Sequence, residues 1–295
     1  MKLNFSFLKA AFFAAFLSFQ MFSSPAFSQS KAIANKSETY KDIIEKAYNL
    51  SLQKDRQQAL NILIAALQKE NRPQPVADLR KAINDVAHVF ISDKAQQMFE
   101  AGISLRKTDL TQALGKLNEA SRLEPDNTAI LSELSRTMIA KGDCSGAQDL
   151  MSKQAKLLPY DEELKLTAAQ AYVCQSAWVE YGKIYDSNEV RKSPFQKFWL
   201  ILEVDRYFKT KNYTKAQEIA ANLKKIDGKY PEVSYWSWKL VQVAKKPGLE
   251  DAQKYVITCK NISANQYRQY MIDPMLCRHV VEVEADLKGS NGIAE

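Results

Sequence analysis

His88 and His279 are the only two imidazoles in a chain of 295 residues. Imidazole is the commonest general base and metal ligand near neutral pH, so two histidines this far apart offer little to a His-centred catalytic or zinc site. His88 falls on an amphipathic helical stretch and reads as a half-buried, hydrogen-bonded residue, whereas His279, following Arg278, reads as a surface group. The acidic run Asp161-Glu162-Glu163 lies at a helix start, where negative charge complements the helix macrodipole. No Gly-x-Ser-x-Gly elbow, His-Glu-x-x-His motif, phosphate-cradling glycine loop or dinucleotide fingerprint occurs. Cys144, Cys174, Cys259 and Cys277 form an even set with three possible pairings. The lack of a Cys-x-x-Cys points away from redox or zinc chemistry, leaving structural disulfides or, alternatively, four reduced core cysteines. The expectation is a chain with no catalytic residue, no metal site and no cofactor.

The scaffold that carries these residues is globular by composition, with 46% apolar and 25% charged positions. Only 9 Gly and 9 Pro favour long helices over a loop-rich β-protein. Residues 1–28 read as a secretory signal: Lys2 and Lys9 are followed by an apolar run from Ala10 to Phe22, a break at Ser23-Ser24-Pro25, and small residues at Ala26 and Ser28. About 13 apolar residues cannot span a hydrocarbon core that needs roughly 20. Cleavage is expected after Ser28, giving an exported chain without a transmembrane segment, in the periplasm or, alternatively, secreted. An oxidising compartment also suits the four cysteines.

A fixed-period self-similarity runs through the rest. Ala113 and Ala147 share a 34-residue offset with Pro125 and Pro159. Leu131, Leu134 and Met138 precede the turn Gly142-Asp143, and Ala147, Leu150 and Met151 follow it at helical spacing. The unit ends where Pro159 cannot continue a helix. Further copies fall at 40–73 (Ile43, Ala47, Leu50, Ala59, Leu63, Ala66), 197–231 (Leu200, Tyr207, Tyr213, Ala216, Ala220) and 233–261 (Trp236, Leu240, Val243, Ala252, Val256). A degenerate unit starts at Glu162 and loses register near 187–194. An extra helix is predicted over Val76–Ile91, and a last one from the cap Asp273-Pro274 to about Ala285.

These units resemble the tetratricopeptide repeat (TPR) family, in which a helix pair with a Gly-Asp-like turn, a small residue opening the second helix and a terminal proline is stacked repeatedly. The resemblance covers most of 40–261, and departs from the pattern at Gln154, where a second small residue is expected. It implies an all-α, right-handed superhelical solenoid of antiparallel helix pairs. Its expected parts are N-terminal repeats over 29–186, C-terminal repeats with a capping helix over 187–288, and a disordered tail over 289–295. It also implies a non-catalytic scaffold that holds a peptide or protein partner in a groove lined by first helices, here Ser132, Arg136, Ile139, Glu163, Gln170 and Val173. These do not match the Lys/Asn set by which some relatives grip a C-terminal carboxylate. In this register Cys144 opens a second helix beside the end of the next first helix, at Cys174, and Cys259 lies beside Cys277 in the same way. The implied pairs are therefore 144–174 and 259–277.

A different reading attaches to 195–239. Between Phe195 and Lys260 there are 13 Lys/Arg against 7 Asp/Glu, interleaved with aromatics. Lys224, Lys225, Lys229 and Lys239 with Tyr235 and Trp238 are candidates for a surface that binds a cell-wall polymer, another glycan or an anionic layer. Export points away from nucleic acid as the partner. The alternative for the aromatics is to fill gaps between stacked helices, the position that the register gives Tyr207 and Trp236.

Overall fold

The computed structural model describes residues 38–245 and 248–291. The leader 1–28 and the last residues of the tail lie outside them. Among the described residues the secondary structure is entirely helical. In chain order the helices are α1 (Tyr40–Leu52), α2 (Arg56–Leu67), α3 (Pro73–His88), α4 (Asp93–Leu105), α5 (Leu110–Leu123), α6 (Thr128–Lys141), α7 (Cys144–Ser152) and α8 (Glu162–Cys174). They continue with α9 (Trp178–Ile184), α10 (Ser187–Val190), α11 (Gln196–Lys209), α12 (Tyr213–Ile226), α13 (Pro231–Val243), α14 (Leu249–Lys260), α15 (Ala264–Tyr270) and α16 (Val280–Asn291). The helix pairs are α1/α2, α4/α5, α6/α7, α8/α9, α11/α12 and α13/α14, with first helices also touching across pairs, as α6 on α8 and α8 on α11. Each short pair cannot bury its apolar stripe alone, so stacking neighbours makes the core.

Four of the six turns inside the pairs share one local device. At Lys54, Gly142, Ser176 and Lys211 the backbone enters the left-handed region. In each case two hydrogen bonds close the helix end: Gly142 N to Ile139 O with Asp143 N to Met138 O, and likewise Lys211 N to Phe208 O with Asn212 N to Tyr207 O. This is the Schellman closure, which satisfies the carbonyls a helix leaves unpaired. At three of the four turns the next residue, Asp55, Asp143 or Asn212, caps the second helix with its side chain. Only one of these turns uses the glycine that the geometry favours, which is why the sequence pattern shows one Gly-Asp turn and hides the rest.

Small residues set the spacing. Ala47, Ala59, Ala113, Ala120, Ala147 and Ala216 are fully buried where helices meet. At Gly102 an added methyl would lie 2.7 Å from Leu117 Cγ, so α4 and α5 need a glycine to approach this closely. One apolar cluster continues from Leu131 to Val283, across the boundary expected at 186–187, while Ala47 to Ala87 form a separate one.

The C-terminal quarter differs from the sequence reading. The helix expected over 76–91 runs from Pro73 to His88, because prolines suit a first turn and the chain extends at Val89. Asp273-Pro274 opens no helix. Asp273 Oδ1 instead accepts from Met275 N at 2.8 Å, Cys277 takes a positive φ of 57°, and the last helix begins at Val280. Cys277 therefore sits in a turn before a helix, not early within one. Before it lies a short helix, α15, started by a capping box of Ser263 and Gln266. The tail is helical through Asn291, beyond the start of disorder expected at 289.

Candidate functional site

The first helices α6, α8, α11 and α13 present their inner faces to one strap of chain, residues 263–279. Lys107, in the α4–α5 turn, lies with its ammonium 5.1 Å from the Tyr267 ring centre. Gln170 Nε2 on α8 donates to Ile272 O at 2.8 Å. Tyr230 donates its hydroxyl hydrogen to Asp273, and Tyr270 donates to Asp227 at 3.2 Å. Cys277 N donates to Glu232 Oε1 at 2.8 Å, and the His279 ring stacks on Tyr235 at 4.3 Å between centres. The Cys259–Cys277 disulfide, with Cα atoms 5.6 Å apart, ties the strap to the end of α14. Cys144–Cys174, 5.5 Å between Cα atoms, joins the start of α7 to the end of α8.

Between the strap and the first helices lies a cavity of about 420 Å³. Its apolar wall includes Ile139, Val173, Ile201, Leu202, Phe208 and Trp236, with the 144–174 disulfide at one side. Its polar groups are Gln170, Asp205, Lys209, Glu232, Asp273, Arg278 and His279. A volume of this order suits a small organic group or one side chain, held by a mostly apolar wall and oriented by a few polar atoms. A second cavity, about 310 Å³, lies at the other side of the strap beside Arg106, Lys107 and Tyr267.

The electrostatics of the larger cavity are uneven. Burial, reinforced by the Asp273 carboxylate, pushes the Glu232 carboxyl well above its ordinary range. Burial likewise raises Asp273, against the Tyr230 hydroxyl and Met275 amide that favour its charge. Burial also raises Asp205, although Lys209 pairs with it at 2.9 Å. Burial holds His279 below its usual value despite Glu282 at 2.9 Å from Nδ1, so its ring is neutral near pH 7. Among the described residues no group of three or more His, Cys, Asp or Glu is placed to hold a metal ion.

Neither a protein-family model nor a curated protein matches the chain. A solved structure does. It is a tetratricopeptide repeat protein from Parabacteroides merdae ATCC 43184, 14% identical, with a TM-score of 0.42, covering 80% of this chain and 98% of that one.

The residues expected to line an open groove are mostly inside. Ser132, Arg136, Ile139, Gln170 and Val173 are all buried, and Glu163 is half-buried. Ile139, Gln170 and Val173 share the cavity wall. Arg136 instead bonds Thr167 Oγ1 at 2.9 Å and Glu163 at 2.7 Å, and shares Glu133 with Arg106. Burial alone would raise Glu133, but the two guanidiniums overcome it and hold its carboxylate below the ordinary range. Arg136, Glu133 and Glu163 clamp neighbouring repeats together.

The basic aromatic surface separates into its parts. Tyr235 and Trp238 are buried, at 5% and 3% exposure, because α13 lies between α11, α14 and the strap. Lys239 covers Trp238 at 4.7 Å and pairs with Glu282 at 2.6 Å. Lys224, Lys225 and Lys229 remain exposed around the end of α12, without an aromatic platform. The sequence does not mark Glu232, Asp273, Phe208, Trp236 or His279 as site residues. The one available signal was two acids in otherwise apolar stretches, Glu232 before Val233 and Asp273 after Ile272. His279, read as a surface group, is half-buried against Tyr235.

Proposed function

We propose that the protein is an exported, non-catalytic helical-repeat binding protein whose recognition centre is the strap-covered cavity. The carrying observation is that cavity: about 420 Å³ of space, walled by four first helices and the strap. An extended peptide lying along the first helices would meet the strap, so recognition is of a small molecule or of one side chain of a protein partner. The leader pattern and the two disulfides support export. The exposed lysines of α12 give only weak support to an anionic-surface reading, because their aromatic complement is internal.

Native mass spectrometry of the protein purified from its own cells tests this reading. The expected result is a bound mass on the unsubstituted protein that disappears in Leu202→Trp, which fills the cavity. Equal loading of both proteins, or none on either, counts against it.

A further inference from the structure

Two carboxyl groups on the cavity wall lack a cation. Glu232 on α13 and Asp273 in the strap are 3% and 4% exposed. Neither takes part in an ion pair among the described residues, and Arg106, the cation that Asp273 feels, is bonded to Glu133 at 2.8 Å. A buried carboxylate without a counter-charge is costly, so such a pair either keeps its protons or awaits a positive group. The same wall holds Gln170, 4% exposed. Its Nε2 is committed to Ile272 O, which fixes the amide's orientation, and its Oε1 accepts no hydrogen bond. An acceptor buried without a donor is the second sign of an absent partner.

The cations at the cavity are already engaged or peripheral. Lys209 Nζ lies on Asp205 and on Val173 O at 3.2 Å. Arg278 is exposed at the rim, with Nη1 3.2 Å from Met275 Sδ. An entering anion would meet Glu232, Asp273 and Asp205. An entering cation would meet those carboxyls, a free amide acceptor and the rings of Phe208, Tyr235 and Trp236, whose faces attract positive charge.

From this we infer that the cavity receives a primary ammonium group carried on a short apolar or aromatic stem. This rests on the cavity being the recognition centre. The stem occupies the apolar side formed by Val173, Ile201 and Leu202, while the ammonium donates to Glu232, Asp273 and Gln170. The ligand is a free amine or the lysine side chain of a partner protein, which present the same chemistry.

Calorimetric titration of the full protein with benzylammonium, benzyl alcohol and benzoate separates charge from shape. The expected result is one-to-one binding of benzylammonium, at least about tenfold tighter than benzyl alcohol, with benzoate weakest. Glu232→Gln should weaken benzylammonium at least about tenfold, to the affinity that benzyl alcohol has for the unsubstituted protein. Competition by acetyl-Ala-Lys-Ala-amide assigns the group to a protein side chain, and its failure to compete assigns it to a free amine. Benzyl alcohol binding as tightly as the amine overturns the ammonium assignment and leaves the cavity reading intact. No binding of any of the three at millimolar concentration overturns both. Because the ligand series uses the unsubstituted protein, the outcome does not depend on whether a variant folds.

Discussion

The helices before α8 and those after it are joined by different chemistry. From α1 to α8 the repeats meet through buried ions. Arg56, 1% exposed, donates to the carbonyls of Val86 and Val89 and to the carboxylates of Glu124 and Asp126. Glu124 in turn accepts from the amides of Ile91 and Ser92 at 2.8 Å, so one ion cluster fixes the α3–α4 linker onto α2 and α5. After α8 ring contacts recur: Phe208 on Trp236, Tyr235 on Tyr255, Tyr230 on Tyr270, at 4.8 to 5.4 Å between centres. Directional ion clamps fix repeat geometry. Flat rings meeting at steep angles leave gaps between them, and the 420 Å³ cavity lies among them. The ion clamps hold repeat geometry, and the ring contacts border the open space.

The largest effect should come from unbalancing an ion clamp. Arg56→Met leaves Glu124 buried with its counter-charge gone, and breaking a buried pair from one side costs about 3–5 kcal/mol. Urea unfolding followed by circular dichroism would show the midpoint fall accordingly. An effect under about 1 kcal/mol, typical of an exposed pair, would mean that the clamp does not organise the first half.

In the second half the comparable element is covalent. Opening Cys259–Cys277, which are separated by 18 residues, should cost about 3 kcal/mol by the loop-entropy estimate. The double change Cys259→Ala, Cys277→Ala should speed amide exchange at Tyr267–Met275 while leaving α2–α6 protected. Uniform acceleration in both halves would erase the distinction between them.

Much of this was legible in the sequence, and unequally. Alanines at fixed offsets and Pro125/Pro159 gave the helix pairs, because small residues at helix contacts and proline stops act locally. The strap was not legible. Asp273-Pro274 has the composition of a helix start, yet Tyr230 and the Met275 amide capture the Asp273 carboxyl, and those partners come from 43 residues away and from the turn itself. The cover over the groove residues was not legible for the same reason: periodicity says which helix face a side chain shares, but not that another segment covers that face. Tyr235 and Trp238 have the composition of a binding surface and the positions of a core. Only tertiary packing distinguishes the two.

The two halves should also respond oppositely to substitution at mildly alkaline pH. Burial works against the charged His88 ring, but Asp161 at 2.8 Å more than offsets it, and the histidine is raised. Asp161 is lowered: burial opposes its charge, and His88, the Leu164 amide and Thr128 outweigh that. The His88 contribution is full below the ordinary histidine value and fades as pH rises through the raised one. The Asp161 contribution is full above the ordinary aspartate value and fades as pH falls through the lowered one. The clamp is thus strongest between about pH 4 and 6.5. Raised Glu232 binds its proton more tightly folded than unfolded, so it too makes stability fall as pH rises. In thermal melts at pH 5 and pH 8, His88→Gln should destabilise at pH 5 and matter less at pH 8, whereas Glu232→Gln should raise Tm at pH 8. No gain from Glu232→Gln would show that burial does not penalise its charge.

The smallest expected effect lies in the turns that both halves share, and it bears on whether repeat geometry or local preference rules them. Lys54 and Lys211 hold φ of 67° and 61°, a region in which a side chain crowds the following carbonyl. Gly142 meets the same Schellman geometry at φ 94° without that crowding. Replacing either lysine by glycine removes the crowding but adds freedom to the unfolded chain, and the two terms partly cancel. The net gain should be about 0.5 kcal/mol for Lys54→Gly and for Lys211→Gly. Gly142→Ala should lose about 1 kcal/mol, because only the penalty is added. Equal gains at 54 and 211, read from urea midpoints, would mean that the turn is one device repeated in both halves. A gain at one and a loss at the other would mean that its lysine makes contacts which the shared backbone pattern does not require.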